Sequence, residues 1–234
     1  TGNQHKFSDY ADYLHENLPA QAELDLQREK PLNPAPLVSV AIACAGASRA
    51  AVRSTLEALG KQTYANFEVC VVSELAQAGL TDYEGIPKFR LVLFNGTAHE
   101  QLKAAEKMLN GAYFLQLLPG DLPAPDALHM LVLQTHANPE AEVVFADEDS
   151  VIDGIRQNPI FKPDYGRDTL RSFNSIGRPM LVSKRVHTAV GGFRGSTPAE
   201  LWAYCIECAS AAKQVIHIAR TVSYTHLTLP TTER

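Results

Sequence analysis

The sequence lacks a membrane span, a nucleotide-binding glycine loop, a basic surface and a disulfide framework. No apolar run approaches the roughly 20 residues that a transmembrane helix needs, and no signal-peptide pattern is visible. No GxGxxG or Walker pattern occurs where an α/β nucleotide fold would carry one. The first strand-like run is followed by Ala45-Gly46-Ala47-Ser48, which argues against a Rossmann-type oxidoreductase. Lys and Arg number 21 against 26 Asp and Glu, a net charge of −5. Phosphate-backbone binding needs a basic face, so nucleic acid is not expected as a partner. There are 4 cysteines in 234 residues. Cys44 and Cys70 lie in apolar runs and read as small core residues. Cys205 and Cys208 have CxxC spacing, but they sit in a helical pattern with no second pair, so zinc or redox chemistry is not expected of them. Nothing suggests a disulfide scaffold, which points to a reducing, cytoplasmic compartment, either free there or at the inner face of the membrane.

What is present is an ordinary globular balance, 45% hydrophobic and 20% charged, long enough for one α/β domain with a good core. Residues 7–30 read as one or two helices. Phe7, Tyr10, Tyr13 and Leu14 share one face, and Leu18, Ala22 and Leu26 repeat at intervals of four. Pro31, Pro34 and Pro36 form a stiff linker. From Leu37 strands and helices alternate. Apolar runs at 37–43, 67–72, 89–94, 112–118 and 142–146 read as five strands. Ser48 caps a helix that buries Val52, Leu56 and Leu59, and Thr97 with Glu100 forms a capping box. Pro125 suits the first turn of a helix with Leu128, Leu131 and Val132 inside. This order predicts a mostly parallel sheet covered by helices on both faces. Ligands then bind beyond the carboxyl ends of the strands, at 44–48, 73–77, 119–121 and 147–149. No internal repeat is visible. Residues 1–36 are expected to be a helical lead-in and linker, and 37–222 the main domain. The chain starts without Met, as a piece of something longer would. Residues 223–234 resemble translated sequencing adapter and are expected to be a non-native tail.

The most telling stretch is Asp147-Glu148-Asp149, then a hairpin-like gap, then Phe161-Lys162-Pro163-Asp164-Tyr165. Asn174-Ser175-Ile176-Gly177 and Gly191-Gly192-Phe193-Arg194 follow. Three carboxylates after an apolar run are costly unless they meet water, a cation or a polar substrate. With Gln62-Thr63-Tyr64 ahead of the second strand, this ordered set resembles glycosyltransferase family 2, in the O-antigen rhamnosyltransferase-like branch that builds bacterial surface polysaccharides. The resemblance spans nearly the whole chain. It implies a GT-A (Rossmann-like) fold, a nucleotide-diphosphate sugar donor, a glycan or lipid-linked glycan acceptor, and inversion at the sugar carbon. It also implies Mg²⁺ or Mn²⁺ to stabilise the departing diphosphate, with a carboxylate base for the attacking hydroxyl.

Residue by residue, the resemblance is uneven. Where the family has two aspartates after the second strand, this chain has Ser73-Glu74. Glu74 either meets the nucleotide base or is a solvated loop residue. Where the family has Asp-x-Asp-Asp after the fourth strand, this chain has Leu118-Pro119-Gly120-Asp121. Asp121 is therefore the candidate metal ligand and, with Glu74, a candidate donor-binding residue, or a turn residue after Pro-Gly. At the base position stands Pro198. Glu200, two residues on, is the candidate substitute, or a first-turn helix carboxylate. The acceptor segment is kept: Asp147 and Asp149 are candidate catalytic carboxylates, and Glu148, Lys162, Asp164 and Asn174 candidate acceptor ligands. Two functions follow from this pattern. One is a sugar transferase. The other is a catalytically degenerate domain that binds glycan or serves as the scaffold half of a longer protein.

Overall fold

The computed structural model describes residues 4–74 and 86–226. Two helices lead in, α1 (Gln4–Asn17) and α2 (Gln21–Glu29). Tyr10, Tyr13 and Leu14 are half-buried, while the Phe7 side chain lies outside the described residues. In α2 the buried residues are Leu24 and Gln27, and Leu26 is exposed. The spacing of four picked the wrong face because Gln27 takes a buried hydrogen bond from Thr63 Oγ1 at 2.6 Å, turning that side inward.

The main body alternates β1 (Val38–Ala43), α3 (Arg49–Leu59), β2 (Phe67–Ser73), β3 (Phe89–Leu93), α4 (Ala98–Glu106) and β4 (Tyr113–Leu117). The short β5 (Asp121–Pro123) precedes α5 (Ala127–Ala137). Then come β6 (Ala141–Ile152), β7 (Ile155–Ile160), α6 (Arg167–Ser172), β8 (Met180–Ser183), α7 (Lys184–Ala189), α8 (Pro198–Ala211) and β9 (Gln214–His226). The described strands form one sheet in the order β3-β2-β1-β4-β8-β6-β9-β5, with β7 paired to β6. The sheet is mostly parallel, as expected. β1, β2, β3 and β4 run parallel to one another, and β6 runs parallel to β9. The remaining pairings are antiparallel.

The sequence explains these elements closely. Every β1 and β2 residue is buried, as a strand covered on both faces requires. Ser48 caps α3 by accepting from Ala51 N, and Thr97 caps α4 in a complete capping box with Glu100. One core packs α3 and α5 on one face, with Leu56, Leu59, Leu128 and Leu131 inside. The other packs α4, α7 and α8 on the opposite face, with Leu102, Val186, Phe193 and Tyr204 inside. Cys205 and Cys208 belong to this second core. Burial pushes the Cys205 thiol up to about 12, so it is inert packing.

Three boundaries differ from expectation. Helix α5 starts at Ala127 with Asp126 at its N-cap, so Pro125 precedes the helix instead of opening it. Strand β6 does not end at Ala146 but runs on through Asp147-Glu148-Asp149 to Ile152. Carboxylates seldom sit in strands, yet here partners from α1, β7, β9 and the 160s segment engage them, leaving one Asp149 oxygen without a donor. Finally, β9 continues past 222, and Ser223, Tyr224 and Thr225 pair with Glu148, Asp149 and Ser150.

Candidate functional site

Beyond the carboxyl end of β4 a cleft of about 630 Å³ opens. On one side it is lined by Glu148, Asp149 and Ser150 of β6 and by Ile160. On the other stand Asn174, Gly177 and Arg178, with Leu118 below and Ser196, Pro198, Ala199, Leu201 and Trp202 of the α8 entry above. The β6–β7 hairpin that carries the carboxylates closes through Asp153-Gly154, both with positive φ (52° and 78°). An Asp-Gly pair is the natural choice for such a two-residue turn.

Asp149 is 2% exposed. Its Oδ2 accepts from Arg156 Nε at 2.8 Å and from the Tyr10 hydroxyl. Its Oδ1 is buried with no hydrogen-bond partner. Burial pushes the Asp149 carboxyl above the ordinary aspartate range, outweighing the hydrogen bonds from Tyr10 and Arg156 that lower it. A buried acceptor without a donor is costly, and Asp149 is one of the residues that line the cleft.

Asp147 is equally buried but faces inward. Its Oδ1 accepts from Lys162 N at 2.9 Å and lies 2.8 Å from His217 Nε2. His217 Nδ1 is 3.1 Å from Asp164 Oδ1, so each ring nitrogen faces a carboxylate. The His217 ring also stacks on Phe145 at 4.8 Å between centroids. Lys162 is a structural tether: Nζ donates to Ala146 O at 2.6 Å and Arg178 O at 2.8 Å, and stands 3.4 Å from Glu148 Oε1. Burial lowers the Lys162 pKa, and Glu148 and Asp147 oppose that shift. Asn174 Oδ1 accepts from Gly177 N at 3.0 Å and so shapes the turn at the cleft wall. Gly177 has φ +56°, which favours glycine, and a Cβ there would come 2.8 Å from Glu148 Oε1 on the facing wall.

The residues on the donor side fare differently. Asp121 is buried, and both of its oxygens are engaged. Arg178 donates from Nε at 2.8 Å to one oxygen and from Nη2 at 3.1 Å to the other. Leu118 N at 2.8 Å and Thr225 Oγ1 at 3.3 Å also donate to it. A divalent cation needs several oxygen ligands. No cluster of three or more His, Cys, Asp or Glu suited to a metal occurs among the described residues. With Leu118 and Gly120 beside a carboxylate already filled by arginine, the donor set does not fit Mg²⁺ or Mn²⁺. Glu74 is exposed at the end of β2, and the stretch 75–77 lies outside the described residues. A second cavity, about 510 Å³, lies at the start of α3 and is lined by Ala47, Ser48, Ala50, Ala51, Ser54, Pro119 and Gly120, without a charged group. Gln101 fixes its edge by accepting from Cys44 N and Ala45 N at 2.8 and 3.0 Å. Glu200 is exposed in a capping box with Thr197, whose hydrogen bonds pull its pKa down, and it does not line the cleft.

The structure thus brings Glu148, Asp149 and Asn174 to the cleft and sets Asp147 and Lys162 behind its wall, while Asp164 is exposed and does not line it. Arg178, Arg156, His217 and Tyr10 were not foreseen. Arg178 directly follows the recognised Asn174–Gly177 segment, the one local signal that could have drawn attention to it.

No protein-family model matches the chain. It is 30% identical over 200 residues, 80% of its length, to an uncharacterized protein, y4gI, of Sinorhizobium fredii. It is 26% identical over 196 residues, again 80% of its length, to the O-antigen biosynthesis protein RfbC of Myxococcus xanthus. It spans 22% and 15% of the length of these two relatives. Among solved structures, S. aureus TarS 1–349 in complex with UDP-GlcNAc superposes with TM-score 0.63 at 14% identity, covering 82% of this chain and 59% of that one. The mannosyltransferase PcManGT of Pyrobaculum calidifontis, in complex with GDP-Man and Mn²⁺, superposes with TM-score 0.56 at 16% identity, covering 97% and 67%. No described helix is long and apolar enough to cross a membrane. Sheet order, cleft position and these superpositions agree: the chain has the GT-A fold of glycosyltransferases.

Proposed function

We propose that this domain transfers a sugar from a nucleotide-diphosphate donor to a glycan acceptor in cell-surface polysaccharide synthesis, with Asp149 as the base. The observation that carries this reading is the unpartnered Oδ1 of Asp149, a residue of the cleft lining. Support comes from the similar proteins, one an O-antigen biosynthesis protein and others in complex with UDP-GlcNAc and GDP-Man.

An acceptor hydroxyl in the cleft donates its hydrogen bond to Oδ1. As its oxygen attacks the sugar carbon from one face, the proton passes to Asp149 and the diphosphate leaves from the other face with the bonding electrons. Burial raises the Asp149 pKa, which makes its carboxylate a stronger base than an ordinary aspartate. Arg156 and Tyr10 hold its other oxygen and fix its direction. Asp147 acts as a positioning residue, anchoring Lys162 and His217 so that the two cleft walls keep their spacing. Glu148 and Asn174 remain candidates for acceptor contact because both line the cleft.

A second reading has its own observation. Pro198 occupies the base position of the resembled family, and Glu200 is committed to its helix cap, as in a degenerate domain that binds glycan or supports a catalytic partner in a longer chain. Release of nucleoside diphosphate from UDP- and GDP-sugars, assayed with oligosaccharide acceptors, decides between them. Turnover that Asp149→Asn removes supports the transferase. Glycan binding without turnover supports the second reading.

A further inference from the structure

The cleft has a fixed cation at the place where the resembled family puts its metal. Arg178 forks onto Asp121 through Nε and Nη2, and Asp121 in turn accepts from Leu118 N at the end of β4. The guanidinium is therefore held beside the position of the missing metal motif. Its backbone is fixed as well, since the Arg178 carbonyl accepts from Lys162 Nζ at 2.8 Å. The side chain is 23% exposed and lines the cleft. Its Nη1 has no hydrogen-bond partner among the described residues. A forked arginine with one edge on a carboxylate and the other facing a cleft suits phosphate oxygens in geometry and charge.

We infer that Arg178, oriented by Asp121, binds the diphosphate of the donor in place of a divalent cation, so that this domain takes nucleotide without metal. This rests on the nucleotide-sugar reading above. During transfer the sugar–oxygen bond breaks, the diphosphate keeps the electron pair, and the free N–H groups of Arg178 meet the charge that develops there. The proton of the acceptor goes to Asp149, so the step is balanced without a metal-bound group.

The test is calorimetric titration of UDP and GDP into the chain, in EDTA and then in Mn²⁺. The expected result is binding in EDTA, changed less than about twofold by Mn²⁺, and weakened about ten- to a hundredfold in Arg178→Ala, the range of a charge-assisted hydrogen bond. Arg178→Ala strands Asp121 and can unfold the chain, so the Asp121→Asn/Arg178→Gln double variant, which removes both charges together, is titrated beside it after a melting check. Loss of binding in the folded double variant supports the inference. Binding that appears only with Mn²⁺, or that survives in the double variant, overturns it and leaves the nucleotide-sugar reading standing. Absence of binding to UDP, GDP and their sugars with and without metal overturns both.

Discussion

The two flanks of this sheet have the same architecture and opposite chemistry. Beyond β1 and β4 lies a cavity whose described lining is uncharged, and nearby the buried carboxylate of Asp121 is taken up by Arg178. Along β6, acids and bases interlock: Asp149 with Arg156, Glu148 with Lys162, Asp147 with His217. A fold survives loss of metal ligands because these sit on loops past the strand ends and contribute little to the core. It survives less easily the loss of charges built into a strand, because each leaves a buried partner behind.

The largest expected effect tests the charged flank directly. Asp149→Asn keeps the shape and removes the base, and turnover should fall by about 10² to 10⁴, read by nucleoside diphosphate release, with nucleotide binding retained. In the wild-type chain activity requires the ionised carboxylate. Because burial raises its pKa, activity is lost as pH falls through a value above the ordinary aspartate value of about 4, and a pH profile of kcat/KM should place its acid limb there. An acid limb at or below that value removes Asp149 from the role.

Next comes the wall itself. Lys162→Ala frees the Ala146 and Arg178 carbonyls and leaves Glu148 without its lysine, while the backbone N–H that Asp147 accepts from is kept, so urea unfolding should show a loss of about 3 kcal/mol. A loss under about 1 kcal/mol would mean that the tether is replaceable and the contrast between flanks is shallower than it looks. Thr197→Ala removes one member of the α8 capping box and should cost about 1 kcal/mol of stability, measured the same way. The smallest effect sharpens the comparison most finely. Glu200→Gln should change turnover less than about twofold, against the 10² or more expected of a true general base. A large drop would return Glu200 to catalysis.

Much of the fold was legible because it rests on local rules. The buried runs of β1 and β2, the Ser48 cap and the Thr97–Glu100 box each announce themselves within a few residues. The acidic stretch was legible as a site for the opposite reason, an apparent violation of pattern. What local reading missed depends on distant partners. Strand β6 carries its acids because Lys162, 15 residues on, and His217, 70 on, satisfy Asp147. Arg178 reaches back 57 residues to Asp121. No spacing rule links such positions. Gln27 turned α2 over for the same reason, through Thr63, 36 residues away.

The placement of Asp147, Glu148 and Asp149 inside a strand has a consequence for motion. Neighbours flank β6 on both sides along this stretch, β7 on one and β9 on the other. Amides in such a doubly bonded strand open only with cooperative unfolding. In a hydrogen-exchange experiment the backbone that carries the proposed base should therefore stay protonated nearly as long as the hydrophobic core, while the ends of β1, β2 and β4 exchange early. Asp149 is then carried by a persistent part of the molecule, and an acceptor has to fit a template that does not yield to it.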